Sequence, residues 1–164
     1  MPRPTEQILT MLADAPVRLA EITRDLPPDR LIAPPEPGEW STRDVLGHLR
    51  ACSDMWGGCM VRILNEDRPT IKAVNPGTWI KQTNYLELEF QPSLRAYTDQ
   101  RAGLLAVLKP LSPEEWARGA TVTVAGRPLE RTVYSYALWL ADHERTHVKQ
   151  IERTVSPAGV RRRA

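Results

Sequence analysis

No stretch of this sequence is apolar for long enough to cross a bilayer. Its first ten residues, MPRPTEQILT, bring charge and proline early and lack the unbroken apolar core of a secretory signal, so the expected compartment is the cytoplasm. Cysteine is scarce. Cys52 and Cys59 lie seven residues apart in what reads as one helix. Helical rise would hold their Cα atoms about 10 Å apart, too far for a mutual disulfide, and two free thiols suit a reducing compartment. Net charge is only +2, which gives no global attraction to nucleic acid or membrane. The Arg161-Arg162-Arg163 run reads as a solvated end rather than a nucleic-acid site. No glycine-rich phosphate loop, Ser-His-Asp pattern or internal repeat is present.

What the chain does have is enough length, 164 residues, to bury the core of one domain. That domain is expected over residues 1–156, with 157–164 as a flexible basic tail. Fifteen prolines mark the joints between amphipathic segments. The first runs from about Thr5 to Asp25 on the stripe Ile8, Leu12, Ala15, Leu19 and Ile22, with a kink or break expected at Pro16. The proline-rich stretch 27–38 reads as neither helix nor central strand. Ser41 with Asp44 then caps a long helix to about Asn65, striped by Val45, Leu49, Cys52, Trp56 and Ile63. Gly57-Gly58 suggests a close backbone approach in its middle. Residues 69–84 read as loop, turning at Asn75-Pro76-Gly77. A third helix is expected from Gln91-Pro92 to Leu108, and Ser112-Pro113-Glu114-Glu115 opens a short one. A small hairpin turning at Ala125-Gly126 precedes the last helix, about Thr132 to Val155. The fold class implied is all-α: a four-helix bundle with one minor β-hairpin.

The chain has three histidines. His143 and His147 are four residues apart on the last helix, about 40° apart around its axis, so both imidazoles can reach one ion. They fall on the stripe Val133, Tyr136, Leu140, His143, His147, Ile151. His48 falls on the stripe Val45, His48, Cys52, Met55, Cys59 of the second helix. A single histidine on an apolar face is usually a hydrogen-bonded core residue, but three at inward positions, two at chelating spacing, point to a divalent metal site. Imidazole nitrogens suit zinc, nickel, iron or copper, and three of them leave positions open for water or substrate. Cys52 is the candidate for a fourth protein ligand, its competing role being a small buried filler. Tyr136 and Gln150 flank the pair.

His143-Glu144-Arg145-Thr146-His147 also matches HExxH, where the glutamate acts as base in zinc peptidases. The context argues against that class. Such enzymes commonly take a third ligand downstream, and the seventeen residues after His147 hold no histidine. Glu144 stays the candidate base for another reaction, its bland alternative being a solvated or supporting residue.

The order of these features resembles the DinB/YfiT-like superfamily. The matching pieces are Glu39-Trp40-Ser41, Val45-Leu46-Gly47-His48-Leu49, the hairpin, and Ala141-Asp142-His143-Glu144 through His147-Val148-Lys149-Gln150-Ile151. The similarity runs from about Thr5 to Val155. It implies an antiparallel four-helix bundle with long connections, frequent homodimers, and one divalent ion, zinc, nickel or iron, on His48, His143 and His147. It implies small-molecule chemistry without fixing the reaction. The options are S-transfer of a low-molecular-weight thiol such as bacillithiol or mycothiol, metal-dependent hydrolysis, or a structural or sensory metal with no catalysis. Neither nucleic acid nor membrane is an expected partner. The substrate pocket is expected from the segments 27–38 and 69–84.

Overall fold

The computed structural model describes residues 1–156, and the expected basic tail lies outside them. In chain order the elements are α1 (Thr5–Thr23), α2 (Pro28–Ile32), α3 (Thr42–Asn65), β1 (Thr70–Lys72), α4 (Pro76–Trp79), a 3-10 turn (Ile80–Gln82), α5 (Phe90–Leu108), α6 (Pro113–Trp116), β2 (Gly119–Val124), β3 (Arg127–Thr132) and α7 (Val133–Val155).

Local chemistry sets where the long helices begin. Ser41 Oγ accepts from the Asp44 amide while the Asp44 carboxylate accepts from the Ser41 amide, a reciprocal cap that fixes the start of α3. Thr132 and Ser135 cap α7, and Ser112 and Glu115 cap α6, in the same way. α1 runs unbroken through Pro16: one missing N–H removes a single hydrogen bond, and the buried stripe Ile8, Leu12, Ala15 and Leu19 holds the helix on both sides of it.

Three expectations are corrected. The stretch 27–38 does contain a helix, because Pro28 sits in its first turn, where no N–H is needed, and Leu31 is buried beneath it. The segment 69–84 is more than loop: β1 adds to the hairpin by burying Ile71, and Asn75 Oδ1 accepts from the Gly77 amide to start α4. Gly57 and Gly58 do not mark a close approach, since a Cβ on either would meet nothing within 4 Å. That role belongs to Gly47, where a Cβ would stand 3.1 Å from Leu86 Cδ2 and 3.3 Å from the Tyr85 carbonyl oxygen.

The expected hairpin supplies two strands of a three-stranded sheet. β2 lies between a parallel β1 and an antiparallel β3, with Ile71, Val122 and Leu129 in register across it. Ala125 and Gly126 both take positive φ in the two-residue turn, the geometry that matches strand twist.

α1 and α3 each pack against both α5 and α7. The core they enclose divides in two. One part gathers Ile8, Leu12, Met60, Ile63, Leu108 and Leu140 beside the sheet. The other gathers Leu19, Leu46, Leu49, Leu94, Tyr97 and Ile151. Between them in sequence on α3, α5 and α7 lie Ser53, Arg101 and Glu144, all buried and polar.

Candidate metal centre

α3 and α7 lie side by side, and their histidines meet. Ring centroids are 5.1 Å apart for His48 and His143, 4.9 Å for His48 and His147, and 4.5 Å for His143 and His147. The Nε2 atoms of His48 and His143 are 2.9 Å apart. Cys52, one turn after His48 and fully buried, directs Sγ to 3.5 Å from His48 Nε2 and 3.4 Å from His143 Nε2. Among the described residues, the donor atoms that gather within 4.8 Å of one another are those of His48, Cys52 and His143, and His147 is not in that group. The third predicted imidazole, His147, packs its ring on the other two. Its Nδ1 donates to Gln150 Oε1 at 2.7 Å, which leaves the Nε2 lone pair available for a ligand role.

These donors fit a divalent cation. Two imidazole nitrogens this close need a proton or a cation between them, because their lone pairs otherwise repel. A tetrahedral ion with bonds of 2.0–2.1 Å to nitrogen holds such atoms about 3.3 Å apart, and a thiolate sulfur about 3.6 Å from each nitrogen. The observed spacings come close to both. Burial, with the nearby His147 adding repulsion, lowers the pKa of His48 to about 4, and burial with His147 and His48 does the same for His143. Both rings are thus neutral at pH 7 and ready to ligate. Burial, helped by Glu144, pushes the Cys52 thiol up to about 12, so without a cation it keeps its proton. A bound cation would reverse that preference.

Aromatic rings enclose the cluster. Trp40 lies 5.0 Å from His48 and stacks over His147 at 6.4 Å, with about half its surface exposed. Trp56 meets His143 edge-on at 5.0 Å and stacks on Trp139 at 4.3 Å. From sequence most of the five tryptophans read as core or interface residues, not as walls of a metal site. The available signal was Trp40 directly before the Ser41 cap and Trp56 two turns after His48.

The buried face of α7 is rotated from the expected stripe. It carries Tyr136, Leu140, Glu144, Val148 and Ile151, while His143 and His147 lie half-buried at its edge. Two nonpolar neighbours alone do not fix a helix face; here the pairing of Glu144 with Arg101 does. Glu144 is 1% exposed, forms a buried ion pair with Arg101, and accepts from Ser53 Oγ at 3.3 Å. It is therefore not a solvated residue. Burial raises its pKa, opposed by Arg101, Tyr97 and Ser53. Arg101 was legible only as a charged residue on the apolar stripe of α5.

Both segments expected to shape a pocket line hollows. Pro35 and Gly38 join Trp40 and Gln150 around one of about 580 Å³. Residues 71–76 and Trp79 help line a cleft of about 880 Å³, with Trp56 as its shared wall toward His143. Tyr136 lines this cleft together with Cys59.

The sequence profile of the DinB superfamily matches residues 11–151. No curated protein matches the chain. Among solved structures, YfiT from Bacillus subtilis superposes with a TM-score of 0.78 at 18% identity, over 91% of this chain and 84% of that one. That protein is described as a "probable metal-dependent hydrolase with an unusual four-helix bundle topology". At this identity the likeness speaks for the fold alone, a helical bundle with a small sheet.

Proposed function

This chain belongs to the DinB superfamily, and on that premise we propose that it is a metal-dependent enzyme holding one zinc, nickel or iron ion on His48, His143 and His147. The observation that carries the reading is the meeting of three imidazole rings from two helices, with His48 and His143 neutral at pH 7. A divalent ion on neutral ligands keeps its full charge and lowers the pKa of a bound water or thiol. The chain's own contribution is to orient the donors. Gln150 fixes the His147 tautomer, and Trp40 and Trp56 limit the movement of the rings around it.

Transfer of a low-molecular-weight thiol onto an electrophile is the reaction we put first. Activation of a thiol by the ion needs no carboxylate base, and Glu144 is committed to Arg101 and Ser53 inside the core. Hydrolysis is the second reading, favoured by the description of the structurally similar YfiT. A non-catalytic ion is the third, favoured by Cys52, whose position would complete a closed four-ligand shell.

Elemental analysis after metal loading tests the shared premise. The wild type should approach one ion per chain and His48→Ala should lose it; below about one ion per ten chains in the wild type, the premise fails. The loaded protein is then offered bacillithiol with an electrophile. Turnover no faster than that of His48→Ala would reject thiol transfer.

A further inference from the structure

A large hollow among the described residues is not centred on the imidazoles. It is the 880 Å³ cleft between α3, the sheet and the first half of α7, a size typical of small-molecule sites. Its walls are apolar and aromatic: Trp56, Trp79 and Trp139 with Ile71, Val122 and Leu129. The three aliphatic side chains are in register across β1, β2 and β3, so one sheet face supplies them. On its polar side Tyr136 and Cys59 lie in electrostatic reach of each other, with Arg131 in reach of Tyr136 and Arg62 in reach of Cys59.

The charges lining this cleft are uneven. Arg62, Lys72 and Arg131 supply three cations against one acid, Asp54. Asp54 is already taken: Trp79 Nε1 at 2.9 Å, the Tyr85 hydroxyl at 2.7 Å and Gln100 Nε2 all donate to it. Arg62 is tied to Glu66 by two hydrogen bonds of 2.7 and 2.9 Å. Neither Arg131 nor Lys72 has an ion-pair partner among the described residues. Arg131 instead lies over the Trp139 ring, 5.8 Å from its centroid. A guanidinium held beside an aromatic face at the rim of an apolar cleft suits a ligand with an apolar body and an anionic head.

We infer that this cleft is a binding site for an organic anion with an aromatic or apolar body. The body lies between the tryptophans and the sheet, and the head is met by Arg131 with Lys72 beside it. The inference does not depend on what His48 and its partners hold. It concerns the far side of Trp56, the ring that separates the cleft from His143.

Gly58 offers a clean way to close the site. It lines the cleft on α3, is exposed, and a Cβ there would meet nothing within 4 Å. Leucine is also the better helix former, so Gly58→Leu should fill cleft space without loosening the fold. The probe is anilinonaphthalene sulfonate, compared with its uncharged parent N-phenylnaphthylamine, each titrated into the full-length protein by fluorescence. One saturable site is expected, with the sulfonate bound more tightly than the parent. Arg131→Gln should weaken the sulfonate by about tenfold and leave the parent unchanged. Gly58→Leu should abolish the binding of both while circular dichroism keeps the wild-type spectrum. Equal binding of the two probes, or full sulfonate binding by Gly58→Leu, would overturn the proposal. So would a change of mass in sedimentation equilibrium for Gly58→Leu, which would give this face to a second copy of the chain instead.

Discussion

Glu144 follows His143 directly in the chain, yet one step along a helix turns a side chain by about 100°. His143 ends at the imidazole cluster and Glu144 in the core against Arg101. The three histidines were legible because their spacing alone puts two on one helical face. The fate of Glu144 was not, because its partners Ser53 and Arg101 lie 91 and 43 residues away. Removing one member of a buried ion pair leaves the other charge stranded, at a cost of about 3–5 kcal/mol. Glu144→Gln should therefore lower stability by about that much in urea unfolding, while metal content stays near the wild type. Replacing both Arg101 and Glu144 with methionine should restore most of the loss. A Glu144→Gln protein of wild-type stability but no activity would return the residue to the role of base.

The same scale sets a pH dependence. His48 and His143 have pKa values of about 4 in the folded, metal-free chain, against 6.5 for an exposed histidine. Below pH 6.5 the unfolded chain takes up protons that these folded rings refuse, so acid favours unfolding. Their contribution to that loss runs from about pH 6.5 down to about 4 and grows no further below it. The melting temperature of metal-stripped protein should fall across this window. In a His48→Leu/His143→Leu variant the fall should be shallower, and identical slopes would contradict the assignment.

At the scale of elements, the starts of α3 and α6 were readable as Ser41 with Asp44 and Ser112 with Glu115, because a reciprocal cap is a local pattern. The pieces that escaped, α2 and β1, owe their existence to tertiary contacts. In Thr70–Lys72 only Ile71 is buried, and three residues carry no period of their own. Pairing with β2 makes that segment a strand. The cap of α3 matters most for the candidate centre, since it sets the register of the helix that carries His48 and Cys52. Ser41→Ala should cost about 1 kcal/mol in chemical unfolding. Ser41→Thr keeps both the side-chain acceptor and the hydroxyl that donates to Asp44 and should cost less; an equal loss would mean that packing at this buried position, and not the cap, is what counts.

For the whole molecule, four amphipathic helices announced a helical bundle, and that much the chain declares by its stripes. It does not declare that the core has two parts. Apolar residues continue along each stripe, and the gap shows only once Arg101, Glu144 and Ser53 are seen to meet. The imidazole cluster lies beside the same gap, since Cys52 and Glu144 adjoin Ser53 and His143 in the chain.

A core divided by a polar layer need not open as one unit. Backbone amides near Leu46, Tyr97 and Ile151 should exchange with deuterium as one group, and those near Met60, Leu108 and Leu140 as another, each with its own rate. His48 and His143 come from two of the helices that cross this boundary, so an ion bound to both would fasten the halves together. Zinc should then slow exchange in both groups toward a common rate, read by mass spectrometry of peptides from deuterated protein. Two groups already exchanging at one rate without metal would show that the polar layer is no boundary. If the rates converge on loading, metal supply would decide how long each half of the chain stays closed to solvent, and with it how readily a protease could enter.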